Sequence, residues 1–117
     1  MVNITFWGVR GSTPCPCDAN VRYGGNTSCV SLEAPGLDPI VFDLGTGLRF
    51  YGGVIDPTEP FRGLALVTHL HWDHTQGLPF FSPLLKEGAE LDVYAPAQDD
   101  GRTVAEVIGA GIRPPLF

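Results

Sequence analysis

The sequence predicts an α/β domain built on a mixed sheet, and three observations carry that prediction. Short apolar runs alternate with polar residues at the period of two that a half-buried strand requires. Turn signals are dense, with 15 glycines and 11 prolines among 117 residues, which favours many short elements over long helices. After the turn-rich first third, the pattern becomes strand, helix, strand, helix, which suits a sheet carrying helices on one face.

Each element has its own signal. Val2, Ile4 and Phe6 alternate with Asn3 and Thr5 as a first strand that ends at Trp7-Gly8. Arg10 to Cys17 reads as an irregular loop, and Tyr23-Gly24-Gly25-Asn26-Thr27 as a turn into a second strand, where Val30 and Leu32 alternate with Ser31 and Glu33. The turn chemistry of Ala34-Pro35-Gly36-Leu37-Asp38-Pro39 joins it to a third strand, Ile40-Val41-Phe42, so the two are expected to form a hairpin. Asp43-Leu44-Gly45-Thr46-Gly47 follows. It lacks the third glycine and the βαβ setting of a dinucleotide site, so NAD binding is rejected; its glycines suit a close backbone passage beside another loop. Gly52-Gly53 and Asp56-Pro57-Thr58-Glu59-Pro60 read as a connection to Leu64-Ala65-Leu66-Val67, a short buried strand. Leu78 to Leu85 is expected to be a short helix or a pair of turns. Leu91, Val93 and Ala95 mark another strand, and Thr103 caps a short helix through Ile108. Neither a repeat nor a second domain interrupts residues 1–117.

The bulk numbers narrow the function. A net charge of −6 and a pI near 4.7 repel polyanions and weigh against a broad nucleic-acid-binding face. They leave room for a small anionic substrate held by a cation and one or two arginines. No apolar run reaches the length of a membrane span, and the N-terminus lacks the basic and apolar regions of a secretory leader. The three cysteines cannot all pair within the chain. Cys15 and Cys17 form a C-x-C pair that could bind metal; without a second pair, free thiols in a reducing cytoplasm are expected.

The chemistry is concentrated in Thr68-His69-Leu70-His71-Trp72-Asp73-His74, which holds all three histidines of the chain. The preceding strand delivers the cluster to its C-terminal end, where side chains can converge on an open crevice. In an extended stretch His69 and His71 point to the same side, while Asp73 and His74 lie past the bend and can be aimed differently. Imidazole nitrogens and a carboxylate suit Zn²⁺ or a similar divalent ion, and two pairs with two aims suggest two neighbouring ions.

The spacing His-x-His-x-Asp-His resembles the signature of the metallo-β-lactamase superfamily. Trp7-Gly8-Val9-Arg10-Gly11-Ser12, Arg22-Tyr23-Gly24-Gly25-Asn26-Thr27-Ser28 and His71-Trp72-Asp73-His74-Thr75-Gln76-Gly77-Leu78-Pro79-Phe80-Phe81 look like its phosphodiesterase and ribonuclease Z branch. The resemblance implies the N-terminal half of an αββα sandwich, cut at Phe117 before further ligands: a histidine for each metal and a bridging aspartate. It implies two divalent ions, zinc first with manganese or iron as alternatives, with His69 and His71 on one and Asp73 and His74 on the other. It implies hydrolysis of a phosphodiester through a metal-bridged hydroxide, Asp73 also orienting the nucleophile, as an activity of a full-length parent rather than of residues 1–117 alone. Nucleic acid would then enter only as substrate. Asp43 is expected as a carboxylate behind the ligands, and Arg10 and Arg22 as phosphate contacts. A lactone, thioester or β-lactam substrate is the alternative on the same scaffold, and a non-catalytic fragment or interaction module is the other. Four ligands split between two ions leave each half-filled, so weak or substoichiometric metal binding is expected of this chain. Half a sandwich is further expected to self-associate, to dock on a complementary chain or to behave as a loosely packed state.

Overall fold

Five strands, β1 (Asn3–Gly8), β2 (Cys29–Glu33), β3 (Ile40–Phe42), β4 (Arg62–Leu66) and β5 (Glu90–Tyr94), form one sheet in sequence order in a computed structural model that describes all 117 residues. The β1–β2 and β2–β3 pairs are antiparallel, and β3–β4 and β4–β5 are parallel, so the sheet is mixed as the sequence predicts. The expected hairpin is present, with Val30 opposite Phe42 and Leu32 opposite Ile40. No helix is long and apolar enough to cross a membrane.

Parallel strands need a crossover between them, and a helix supplies the one from β3 to β4. This is α1 (Leu48–Val54), in a stretch that the sequence reading takes as part of a connection. Two adjacent glycines hide it, since each weakens a helix. Packing explains why the helix forms regardless. Leu48 and Tyr51, three residues apart and so on one face, are buried, and Gly52 lies against Phe81 and Pro83, where a Cβ would come within 3.0 Å of the proline ring. Tyr51 is the centre of an aromatic cluster. Its ring lies 5.4 Å from Trp7, 6.4 Å from Phe61 and 6.0 Å from Phe81, while Phe61 and Phe81 meet edge to face at 5.0 Å. The stretch from Leu78 to Leu85 resolves into a pair of 3₁₀ turns, Leu78–Phe80 and Ser82–Leu85, which carry Phe81 between them. The last helix, α2 (Val104–Gly111), starts as expected at Thr103. The Thr103 hydroxyl accepts from Glu106 N at 3.1 Å, and the Glu106 carboxylate accepts from Thr103 N at 2.7 Å.

The two faces of the sheet differ. Residues paired across strands share a face, so Ser31, Val41 and Ala65 line one side, and all three are buried under α1 and the aromatic cluster. Phe6, Phe42, Leu66 and Tyr94 share the other side with Ile4, and each of them is exposed. Val41 and Leu66 therefore belong to opposite faces, and the second face is an open apolar surface.

Candidate metal centre

The parallel strands β3 and β4 end side by side, and the residues that follow them build the site. This is the carboxyl end of a sheet, where open α/β folds place ligands. After β3 the backbone turns through Asp43, whose φ of 63° is rare for a residue with a side chain but tolerated by aspartate. The Asp43 carboxylate, almost completely buried, is then aimed at the loop after β4. It accepts from Thr68 N at 2.7 Å, from the Thr68 hydroxyl at 3.1 Å and from the Ser28 hydroxyl at 3.3 Å, and it lies 3.0 Å from His74 Nδ1.

The glycines of Asp43-Leu44-Gly45-Thr46-Gly47 bring this turn hard against the histidine loop. A Cβ on Gly45 would lie 2.6 Å from the Asp73 carbonyl oxygen, and one on Gly77 would strike the Gly45 carbonyl. Two backbone bonds of 2.8 Å, Leu44 N to His74 O and Gly77 N to Leu44 O, lock the loops together.

His69, His71 and Asp73 converge. One donor atom from each lies within 4.8 Å of the other two, and the His69 and His71 rings are 4.6 Å apart. In the sequence reading His69 and His71 serve one ion and Asp73 and His74 a second, neighbouring one. His74 sits beside the trio, its ring 4.0 Å from that of His69 and its Nε2 3.3 Å from Asp73 Oδ2. A 3₁₀ turn, Trp72–His74, carries the last two members.

The hydrogen-bond network suits the ring tautomers that a metal site uses. The Thr68 hydroxyl spends its proton on Asp43, so its oxygen accepts from His69 Nδ1 at 3.0 Å, which leaves His69 Nε2 with a free lone pair. His74 Nδ1 donates to Asp43, which likewise frees Nε2. That nitrogen then faces the Asp73 carboxylate, an acceptor facing an acceptor unless a cation or a proton lies between them. The donor set therefore fits a divalent metal: imidazole nitrogens and a carboxylate oxygen at close quarters, with the far ring nitrogens held by a carboxylate and a hydroxyl.

Two of these contributors are missing from the sequence reading. Thr68 stands inside the motif but has no ligand atom of its own interest, and its role emerges only from its contact with Asp43. Ser12 lies 61 residues before Asp73, yet its backbone N–H donates to Asp73 Oδ2 at 2.9 Å from a residue at φ 73°. Burial pushes the Asp73 carboxyl up, but the Ser12 bond and the neighbouring His74 outweigh it and hold the group below the usual carboxylate range.

The two arginines make local contacts. Arg10 Nε donates to the Thr13 carbonyl at 3.0 Å, and the Arg22 guanidinium lies 5.2 Å from the centre of the Tyr23 ring. Beside the cluster opens a wide depression of about 660 Å³ lined by Ser12, Leu70, His71, Trp72 and Asp73, and neither arginine contributes to it. No protein-family model matches the chain, and neither a curated protein nor a solved structure matches it. The likeness to the metallo-β-lactamase superfamily rests on the motifs quoted above.

Proposed function

We propose that the protein is a metal-dependent hydrolase, of the metallo-β-lactamase type, that cleaves small phosphodiesters at the His69, His71, Asp73 and His74 cluster. The observation that carries this reading is the convergence of three donor residues within 4.8 Å at the carboxyl end of a parallel strand pair, beside an open depression. His69, His71, Asp73 and His74 would hold divalent ions, zinc first and two of them where both halves of the motif are used, and such ions would supply Lewis acidity for a bound water and for charge on phosphoryl oxygens.

The chain's own residues supply position. Asp43 and Thr68 engage Nδ1 of His74 and of His69, which fixes the ring orientations and leaves Nε2 of each for a ligand. Ser12 N holds one oxygen of Asp73, so the carboxylate presents its remaining lone pairs in one direction and can orient a water. The exposed Trp72 indole and Leu70 form the wall on which an organic ester group would rest. An anionic diester suits a cationic metal site in a protein whose net charge of −6 offers no broad attraction to polyanions.

The test is hydrolysis of bis(p-nitrophenyl) phosphate by the protein in Zn²⁺ or Mn²⁺, with nitrocefin as the competing substrate. Diester cleavage that chelation abolishes is expected. Preferential turnover of nitrocefin would replace the phosphodiester with a β-lactam, and inertness toward both by metal-loaded protein would overturn the reading.

A further inference from the structure

The C-x-C pair lies outside the metal cluster and has no part in its chemistry. Cys15 Sγ and Cys17 Sγ are 3.9 Å apart on the loop between β1 and β2, with Cys17 exposed and Cys15 partly covered. Their convergence is built into the backbone. Cys15 N donates to Gly25 O and Asn20 Nδ2 donates to Cys15 O, both at 2.9 Å, while Asn20 N donates to Cys17 O at 2.9 Å to close the turn Asp18–Asn20. Gly25 packs so tightly on the Cys15 backbone that no side chain fits there. Pro16, with its fixed φ, leaves the intervening residue little freedom.

A structural metal at this pair would need three or four protein ligands. The chain's one group of three or more convergent His, Cys, Asp or Glu donors is the histidine cluster, so the two thiols have no third partner. What two neighbouring thiols can do without a third is oxidise to each other. A rotation of both side chains must close 3.9 Å to the bonding distance of about 2.05 Å.

We propose that Cys15 and Cys17 are a reversible dithiol/disulfide site that exchanges with small-molecule disulfides. The accessible Cys17 thiolate attacks one sulfur of a disulfide RSSR, forms the mixed disulfide and releases RS⁻. Cys15, held 3.9 Å away, then attacks Cys17 Sγ and expels the second RS⁻. Two protein thiols are oxidised, one RSSR is reduced to two thiols, and the two thiol protons end on the released RS⁻. A bridge this short in sequence, on an exposed loop, belongs to the labile class that excess thiol reverses. Cys29 is the internal control. It is fully buried in the core, and it has no part in the exchange.

The experiment uses the full chain with oxidised glutathione as probe. Arg10 and Arg22 bracket the pair, so trypsin releases Cys15 and Cys17 in one peptide and Cys29 in another. The expected product has lost two hydrogens within the first peptide, carries no glutathione and returns to dithiol on addition of excess glutathione. Cys15→Ser should instead accumulate a stable glutathione adduct on Cys17, and Cys17→Ser should react roughly ten-fold more slowly at Cys15, whose sulfur is less accessible. Stable adducts on both wild-type residues, a bridge to Cys29, cross-linked chains or an unreacted pair would each overturn the proposal. It does not depend on the metal reading, because the mass change is read without metal or substrate.

Discussion

One strand joins two regions of opposite character. At β4 and the residue just after it the chain supplies Ala65 and Val67 to the core, both buried; two residues later His69 is exposed, and His71 and Trp72 follow it into solvent. The core is held by rings in contact, whereas the loop is held by hydrogen bonds to Asp43, Leu44 and Ser12. The difference separates two functions of sequence. Core residues set whether the chain folds, and loop residues set what the folded chain can bind. Asp43 belongs to both regions.

Substitutions can break that division, and the largest effect on folding is expected in the core. Phe81→Ala removes a ring that contacts both Tyr51 and Phe61, and should cost about 3–5 kcal/mol. Against a domain stability of about 5–15 kcal/mol, that loss should be plain in urea or thermal unfolding. An unchanged midpoint would mean that the aromatic cluster is not the core.

Asp43→Asn comes next and should move both properties. Asparagine tolerates the positive φ, but one carboxylate oxygen becomes an NH₂ that faces donors from Thr68 or His74. Stability should fall by about 1–3 kcal/mol, and metal affinity by about 10–100-fold. A variant that loses stability alone would remove Asp43 from the site.

Phe6→Lys probes the open face, where the side chain is 70% exposed. Stability should change by no more than about 0.5 kcal/mol, as for other surface positions. Self-association should weaken, because Ile4, Phe6, Phe42, Leu66 and Tyr94 form an apolar surface of the kind that seeks a partner. Sedimentation checks this. A wild-type chain that is monomeric at all concentrations would show that the open face needs no cover.

Much of this was legible in the residues, for physical reasons that differ by element. Strand alternation is written directly into Val30, Leu32 and Leu91, because the pleat alone decides which side chains share a face. The Thr103 cap is equally local, as both members of the capping box lie within one turn. Helix α1 is not legible, because Gly52 looks like a breaker until Phe81 and Pro83 occupy the space its missing side chain leaves. Periodicity likewise could not tell that the face carrying Phe6 and Leu66 would stand open while the one carrying Val41 is buried. At the site, His69, His71, Asp73 and His74 announce themselves by density. Their convergence does not, since the turn at Trp72–His74 that brings Asp73 within reach of His69 and His71 is set by the fold. Ser12 is unreadable in principle, since its contribution is a backbone N–H that any residue but proline carries.

An equally small effect on folding, within about 0.5 kcal/mol, is expected of His69→Ala, an exposed residue outside the core. That makes it the sharpest probe of the central claim, that the histidine loop is a metal site. Zn²⁺ titration of the dialysed wild-type and His69→Ala chains, followed by calorimetry with unfolding midpoints measured alongside, reads occupancy and folding separately. Saturable uptake by the wild type is expected, with most of it lost in the variant at matched stability without metal. Equal uptake by the two folded chains would contradict the claim.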